Sequence, residues 1–337
     1  MRRSLLIPAL LALLCVTALI SLGMGRYPVA PGDMFRCLSH TVSGTLPTGD
    51  RQLAVIRNIL IDIRLPRIVA AMLIGASLSV SGAAFQSMFI NPLVSPGLLG
   101  VLAGASFGAA LGMTVSASWI AVQVGAFTFG FMAVLIAICI AGFYNGDRLL
   151  MLILGGIISG SLFTALLSVI KYLADPYDAL PAIICWLMGG LSMADSRTVW
   201  AVSLPILAGI TVLILLSGHM NVLSMGDEEA RSLGVNVRLI RFLLIFFATL
   251  VSALTVAVGG IIGWVGLVIP HIARMIAGPD NRILLPAAAL IGAVYLLVVD
   301  DISRLAFSTE IPLGILTALA GIPFFAAVLR KSKKGWN

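Results

Sequence analysis

Again and again, runs of about twenty apolar residues free of charge recur along this chain of 337 residues. A hydrocarbon layer about 30 Å thick takes about twenty apolar residues per crossing helix. Charge-free runs place helices at 4–24, 66–89, 97–115, 118–142, 149–172, 198–217, 238–258, 260–273, 283–301 and 312–329. The composition agrees: 60% of residues are hydrophobic and 10% charged, with mean hydropathy +1.11. Soluble domains carry about 25% charged residues, so a water-soluble fold, a disordered chain and a nucleic-acid-binding domain are excluded together. The expected fold is all-α: a single polytopic membrane domain over 1–337 with about ten transmembrane helices.

Met1-Arg2-Arg3 and the apolar run after it resemble a secretory signal. The run exceeds the roughly 7–15 apolar residues of such signals, so it reads as a retained first helix. An even number of spans puts both termini on one side. Arg2 and Arg3 at one end, with Arg330, Lys331, Lys333 and Lys334 at the other, assign that side to the cytoplasm. Two segments then lie outside, 25–65 and 174–196, and 218–237 lies inside. Segment 174–196 reads as a re-entrant or surface helix with Trp186 as an interface anchor. Cys37 and Cys185 fall on the same outer side and could pair, or serve as small apolar filler with Cys15 and Cys139; none has metal-ligand spacing.

Segment 25–65 carries Arg26, Arg36, Arg51, Arg57 and Arg64, with Arg67 just beyond. Positive charge outside runs against the usual bias. Either an acidic partner docks there or the arginines are solvated or meet lipid headgroups. Inside the spans, charge sits only near helix ends, at Lys171, His271, Asp300, Asp301 and Arg304. Carriers driven by ions usually hold ionisable groups along the path, so a stand-alone carrier is disfavoured. No G-x-x-x-x-G-K-[ST] occurs, so this chain has no P-loop for ATP.

Small residues at four-residue spacing form two stripes, Ala71, Gly75, Ser79 and Ala83, and Gly100, Gly104, Gly108 and Gly112. Such faces let helix backbones approach closely in lipid. Gly104-Ala105-Ser106-Phe107-Gly108 matches G-x-S-x-G, but His40, His219 and His271 all lie in or beside connections, so a serine hydrolase is disfavoured. A weak echo links Gly82, Gln86 and Asn91-Pro92-Leu93 with Gly263-Trp264 and Pro270-His271, as an inverted repeat would. Inside, Ser224, Met225, Gly226, Asp227, Glu228, Glu229, Ala230, Arg231, Ser232, Leu233 and Gly234 read as one short helix. Ser224 is the expected cap, three acids lie in the first turn, and Gly234 ends it. It is either an ordinary interfacial helix or a lever docked into a cytoplasmic partner.

Arg64-Leu65-Pro66-Arg67, Asn91-Pro92-Leu93, Pro96-Gly97-Leu98-Leu99-Gly100, Gly226-Asp227-Glu228 through Leu233-Gly234, Gly266 to Arg274, and Ile311-Pro312-Leu313-Gly314 with Gly321-Ile322-Pro323 follow in that order. The chain resembles FecCD-type permeases of type II ABC importers, which carry cobalamin, haem, iron-siderophores or molybdate and tungstate. The resemblance implies a homodimer with the pathway at its interface, two ATP-binding cassette subunits beneath, and a periplasmic or extracellular binding protein above. It implies docking through Arg64, Arg67 and Arg304, coupling through Ser224 to Gly234, and a cytoplasmic gate at Asn91 and Leu93. On this resemblance the chain sits in a bacterial or archaeal cell membrane and is not an enzyme. It binds no cofactor or metal itself, and the partner ATPase holds ATP and magnesium. The expected cargo is a metal chelate, iron-siderophore first and haem or corrinoid next. The alternative is a molybdate or tungstate oxyanion.

Overall fold

A computed structural model describes residues 3–43, 51–116, 118–143, 148–192, 194–306 and 308–332. Among them every regular element is helical. The chain runs α1 (Arg3–Gly23), α2 (Pro31–Ser43), α3 (Arg51–Arg57), a π-helical stretch (Asn58–Arg64), α4 (Leu65–Met88), a 3-10 turn (Pro96–Leu99), α5 (Val101–Val115), α6 (Trp119–Phe143) and α7 (Arg148–Leu173). It continues with α8 (Ala179–Leu187), α9 (Ser196–Leu215), α10 (Ser217–Leu223), α11 (Asp227–Ser232), α12 (Val237–Gly259), α13 (Val265–Ala277), α14 (Asn281–Leu305) and α15 (Leu313–Ser332). Seven of the described helices are long and apolar enough to cross a membrane, and α5, α13 and α15 are shorter apolar helices.

The largest departure from the expected boundaries is at α4. Its helical run begins at Gln52, far ahead of 66, and is continuous to Met88. Leu53, Ile56 and Leu60 recur at helical spacing and are buried, so this stretch packs instead of crossing water as a loop. Pro66 cannot donate to the carbonyl four residues back and its ring crowds that carbonyl. The wider π turns just before it absorb the mismatch and keep the helix going. Thirty-seven residues span about 55 Å, so one end of this helix projects beyond any 30 Å layer.

At the centre, α4 lies against α14 and α13. Side chains at Gly75 and Gly292 would strike each other's helix, and one at Gly82 would strike the carbonyl of Gly266. Ala71, Ser79 and Ala83 are fully buried along the same run. Gly104, Gly108 and Gly112 bring α5 against the backbone of α6, at Phe129, Gly125 and Ala121, and Gly100 opens α5 in the left-handed region beside Gly156 and Gly160 of α7. Backbones this close leave no room for a methyl group, and packing contact is what holds helices together in lipid.

Helices α5 and α13 are half-length spans, 15 and 13 residues. Irregular backbone precedes each, and the two irregular stretches meet where Pro96 packs on Gly266. Non-helical backbone at membrane depth is tolerated only inside protein, and this is such a place. The regions of the weak sequence echo therefore touch: Gln86 Nε2 donates to the Leu267 carbonyl at 3.4 Å, and Arg274 donates to Gln86 at 3.1 Å.

One smaller expectation is corrected, and two readings left open or disfavoured by the sequence are decided. Trp186 is not an interface anchor; it is 7% exposed, packed with Ala105, Val256 and Ala257, because α8 folds back onto the bundle. Cys37 is buried while Cys185 is exposed, and no disulfide joins them. Ser106 donates to the Leu102 carbonyl at 2.6 Å, as a helix-internal serine does, and forms no hydrolase site.

Candidate functional site: a charged latch at one end and a tethered short helix at the other

The 25 residues of α14 join two polar ends of the bundle about 36 Å apart. At its C-terminal end, Arg67 of α4 donates from Nε and Nη2 to Asp300 at 2.9–3.1 Å. The same guanidinium donates to Glu310 at 3.0 and 3.1 Å, and Ser192 donates to Glu310 at 2.6 Å. Arg304 pairs with Asp300 at 3.2 Å and with Asp301, which accepts from Ser21 of α1 at 2.7 Å. The Asp300 side chain is fully buried. Such a carboxylate is sustained by the fork-shaped contact of Arg67 on one side and the positive charge of Arg304 on the other. Together these groups bind α1, α4, α14 and the connections at 192 and 310 into one latch.

Arg64, the last residue of the π stretch, donates to the carbonyls of Leu22, Gly23 and Tyr27 at 2.8, 3.2 and 2.5 Å. It caps the orphan carbonyls at the end of α1. The three arginines assigned to docking thus come together, and each is bonded within this chain. Glu310, Ser192 and Ser21 carry no signal in the sequence; Ser-Thr-Glu before Ile311-Pro312 has no spacing that announces a partner for Arg67.

Burial pushes the Glu310 carboxyl up, but the hydrogen bonds from Arg67 and Ser192 outweigh it and hold the group below its ordinary 4.5. A depressed carboxylate contributes stability that is present above its unfolded value and lost as pH falls through the lower folded value. The latch is therefore intact at neutral pH and down past the ordinary glutamate range. Glu310→Gln should flatten the acid limb of a pH-stability profile below about pH 4.5. An acid limb identical to that of the parent would remove Glu310 from the latch.

Beside the latch lies a cavity of about 110 Å³ lined by Arg67, Ser192, Glu310, Trp119 and Trp186. Both indole Nε1 atoms are buried without a hydrogen-bond partner among the described residues.

The opposite end is organised around α11. Gly226 and Gly234, at φ +117° and +79°, bracket its six residues. Ser224 does not cap it: its hydroxyl donates to the Asn221 carbonyl at 2.8 Å, finishing α10 instead. Asp227 is turned to α12, where Arg241 grips it with two bonds of 2.6 and 2.8 Å. Ala230 is fully buried, whereas Met225 and Leu233 project at 62% exposure each. Glu228, Glu229 and Arg231 complete the short helix.

A chain of side-chain bonds, unread in the sequence, leads from here into the bundle. Asn221 of α10 donates to Asp280 at 2.6 Å and accepts from Asn281 at 2.9 Å; Ser87 of α4 donates to Asn281 at 2.7 Å. Their only sequence signal is polarity in an apolar context, at Gly278-Pro279-Asp280-Asn281. Four residues past Ser87 comes Asn91, whose side chain accepts from the Leu93 amide at 2.9 Å. Leu93 is 53% exposed, and Ile90 before it is held at φ +50°, a strained setting for a β-branched residue.

A helical bundle with long apolar spans, a polar latch at one end and a tethered short helix at the other defines a multi-pass membrane permease. The FecCD transport family matches residues 13–331. The chain is 38% identical over 323 residues to the molybdate import system permease protein MolB of Haemophilus influenzae, covering 96% of this chain and 94% of that one. It is 38% identical over 284 residues to a probable iron chelatin transport system permease of Helicobacter pylori, covering 84% and 86%. A solved inward-facing metal-chelate type ABC transporter superposes with TM-score 0.85 at 37% identity, over 96% and 98% of the two chains. This chain belongs to the FecCD transport family, as an ABC importer permease.

Proposed function

We propose that this chain is the transport subunit of an ATP-driven importer of a metal-bearing solute, an iron chelate in the first reading. Two copies enclose the pathway, two ATPase subunits holding ATP and magnesium sit beneath α11, and a substrate-binding protein delivers cargo at the latch end. Both termini then lie in the cytoplasm of a cell-membrane protein. The observation that carries this is α11: a short helix gripped by Arg241 of α12 and following directly on α10, whose Asn221 is joined through Asn281 and Ser87 to the end of α4 beside Asn91 and Leu93. Displacement of α11 by a closing ATPase pair has a bonded route to the segment assigned as the cytoplasmic gate. The chain itself breaks no bond and binds no cofactor.

Small and hydroxyl residues suit a cargo recognised elsewhere. On α7, Ser161, Thr164, Ala165 and Ser168 are exposed, and the helix holds no charge between Arg148 and Lys171. Such a face opposes neither a bulky chelate nor an anion. A molybdate or tungstate cargo is the second reading, supported by the 38% identity held over 323 residues with the molybdate permease.

Proteoliposomes carrying the permease with its ATPase and binding protein should take up a ferric chelate only when ATP is supplied. Uptake of molybdate with no uptake of ferric chelates would transfer the cargo to the second reading. Uptake without the ATPase would overturn the importer assignment.

A further inference from the structure

A pocket of about 580 Å³ opens beside α11, between the ends of α6 and α7 and the start of α12. That volume is in the range of ligand sites, about 300–1,000 Å³. Its depth is apolar, with Ile138 of α6, Leu152 of α7 and Phe242 of α12 on three sides. Its mouth holds Arg231, Arg238 and Arg241 against Asp227, a surplus of positive charge. Asp227 is already neutralised by Arg241, through both Nη atoms. The Nε of Arg241 is buried and has no hydrogen-bond partner among the described residues. Arg231 and Arg238 are exposed and form no ion pair among the described residues.

What borders the pocket decides its occupant. Leu150, Leu239 and Phe242 are 51%, 50% and 57% exposed, and all three lie on helices apolar enough to span. Apolar area of this kind belongs against hydrocarbon, so the pocket opens at the seam between acyl chains and headgroups. Basic pockets between membrane helices hold anionic headgroups, because a phosphate satisfies the guanidinium donors while the chain fills the apolar part.

We propose that this pocket is a binding site for one anionic phospholipid. Its phosphate is held by Arg231 and Arg238 at the mouth, and one acyl chain lies between α6 and α12. The lipid would brace the Asp227–Arg241 grip that seats α11. The inference requires only that the chain spans a membrane, and stands apart from the cargo.

Native mass spectrometry of the delipidated, detergent-held permease tests it, with phosphatidylglycerol titrated against phosphatidylcholine. The parent should retain phosphatidylglycerol at least tenfold more strongly. The double variant Arg231→Gln, Arg238→Gln should fall to the phosphatidylcholine level. Gly142→Phe offers an independent arm with every charge kept: Gly142 lines the pocket and a Cβ there meets nothing within 4 Å, so a ring can be added to occupy the space, with retained helicity and monodispersity as the check on folding. It should lower phosphatidylglycerol retention by a similar factor. Equal retention of the two lipids by the parent overturns the site. Undiminished phosphatidylglycerol retention in either folded variant does so as well, as does loss of the lipid when the ATPase subunit binds, which would give the pocket to that partner.

Discussion

Asp300→Asn should destabilise the permease by about 3–5 kcal/mol, the cost of removing one member of a buried ion pair. Its side chain is fully buried and serves two guanidinium groups, Arg67 at 2.9 Å and Arg304 at 3.2 Å. The amide is nearly isosteric, so the packing of α14 against α4 survives, and what is lost is the charge that both arginines need. In detergent the apparent Tm should drop on the order of 10 °C. Asp62→Asn, at an exposed position on the π stretch, is the matched control and should move it little. Equal shifts in the Asp300 and Asp62 variants would mean that the latch contributes nothing to the fold.

The second large effect concerns α11. Asp227→Lys puts a cation against Arg241, where bonds of 2.6 and 2.8 Å now stand. Transport by the assembled complex should fall at least tenfold, about 1.4 kcal/mol, while ATP hydrolysis continues. The charge-swapped pair Asp227→Lys, Arg241→Asp restores the attraction and should restore most of the uptake. Uptake and hydrolysis measured side by side on the same vesicles decide the matter. If the swapped pair stays uncoupled, Asp227 acts by touching the ATPase, and its tether to α12 is incidental.

These two experiments replace a simpler one. Reversing charge at Arg64 or Arg67 would be a natural way to weaken docking of a binding protein. Both guanidinium groups are engaged in the chain, Arg64 on three carbonyls and Arg67 on two carboxylates, so the reversal would injure the fold first.

Much of the architecture was legible before any coordinates. Apolar runs of about twenty residues, the glycine stripes facing α6 and α14, and the acidic first turn of α11 follow from local spacing, and local spacing is what a linear sequence records. The start of α4 lies outside what a charge-free run can show, because Arg57, Asp62, Arg64 and Arg67 interrupt the apolar pattern; a π turn carries the helix past Pro66, and burial of Leu53, Ile56 and Leu60 on the earlier stretch holds it in place. Ser224 has the residue type of a cap but is spent on α10.

The polar bonds were beyond reach for a different reason. Arg67 and Asp300 are 233 positions apart, and Ser87 and Asn281 are 194 apart. Nothing in the order of residues says which arginine meets which carboxylate; that is settled when glycine faces draw α4 and α14 into contact. Hydropathy and spacing alone determined that this chain is a bundle of membrane helices with a short polar helix between spans. Which charges face a partner and which face one another was decided by tertiary structure, since burying an ion pair depends on what surrounds it.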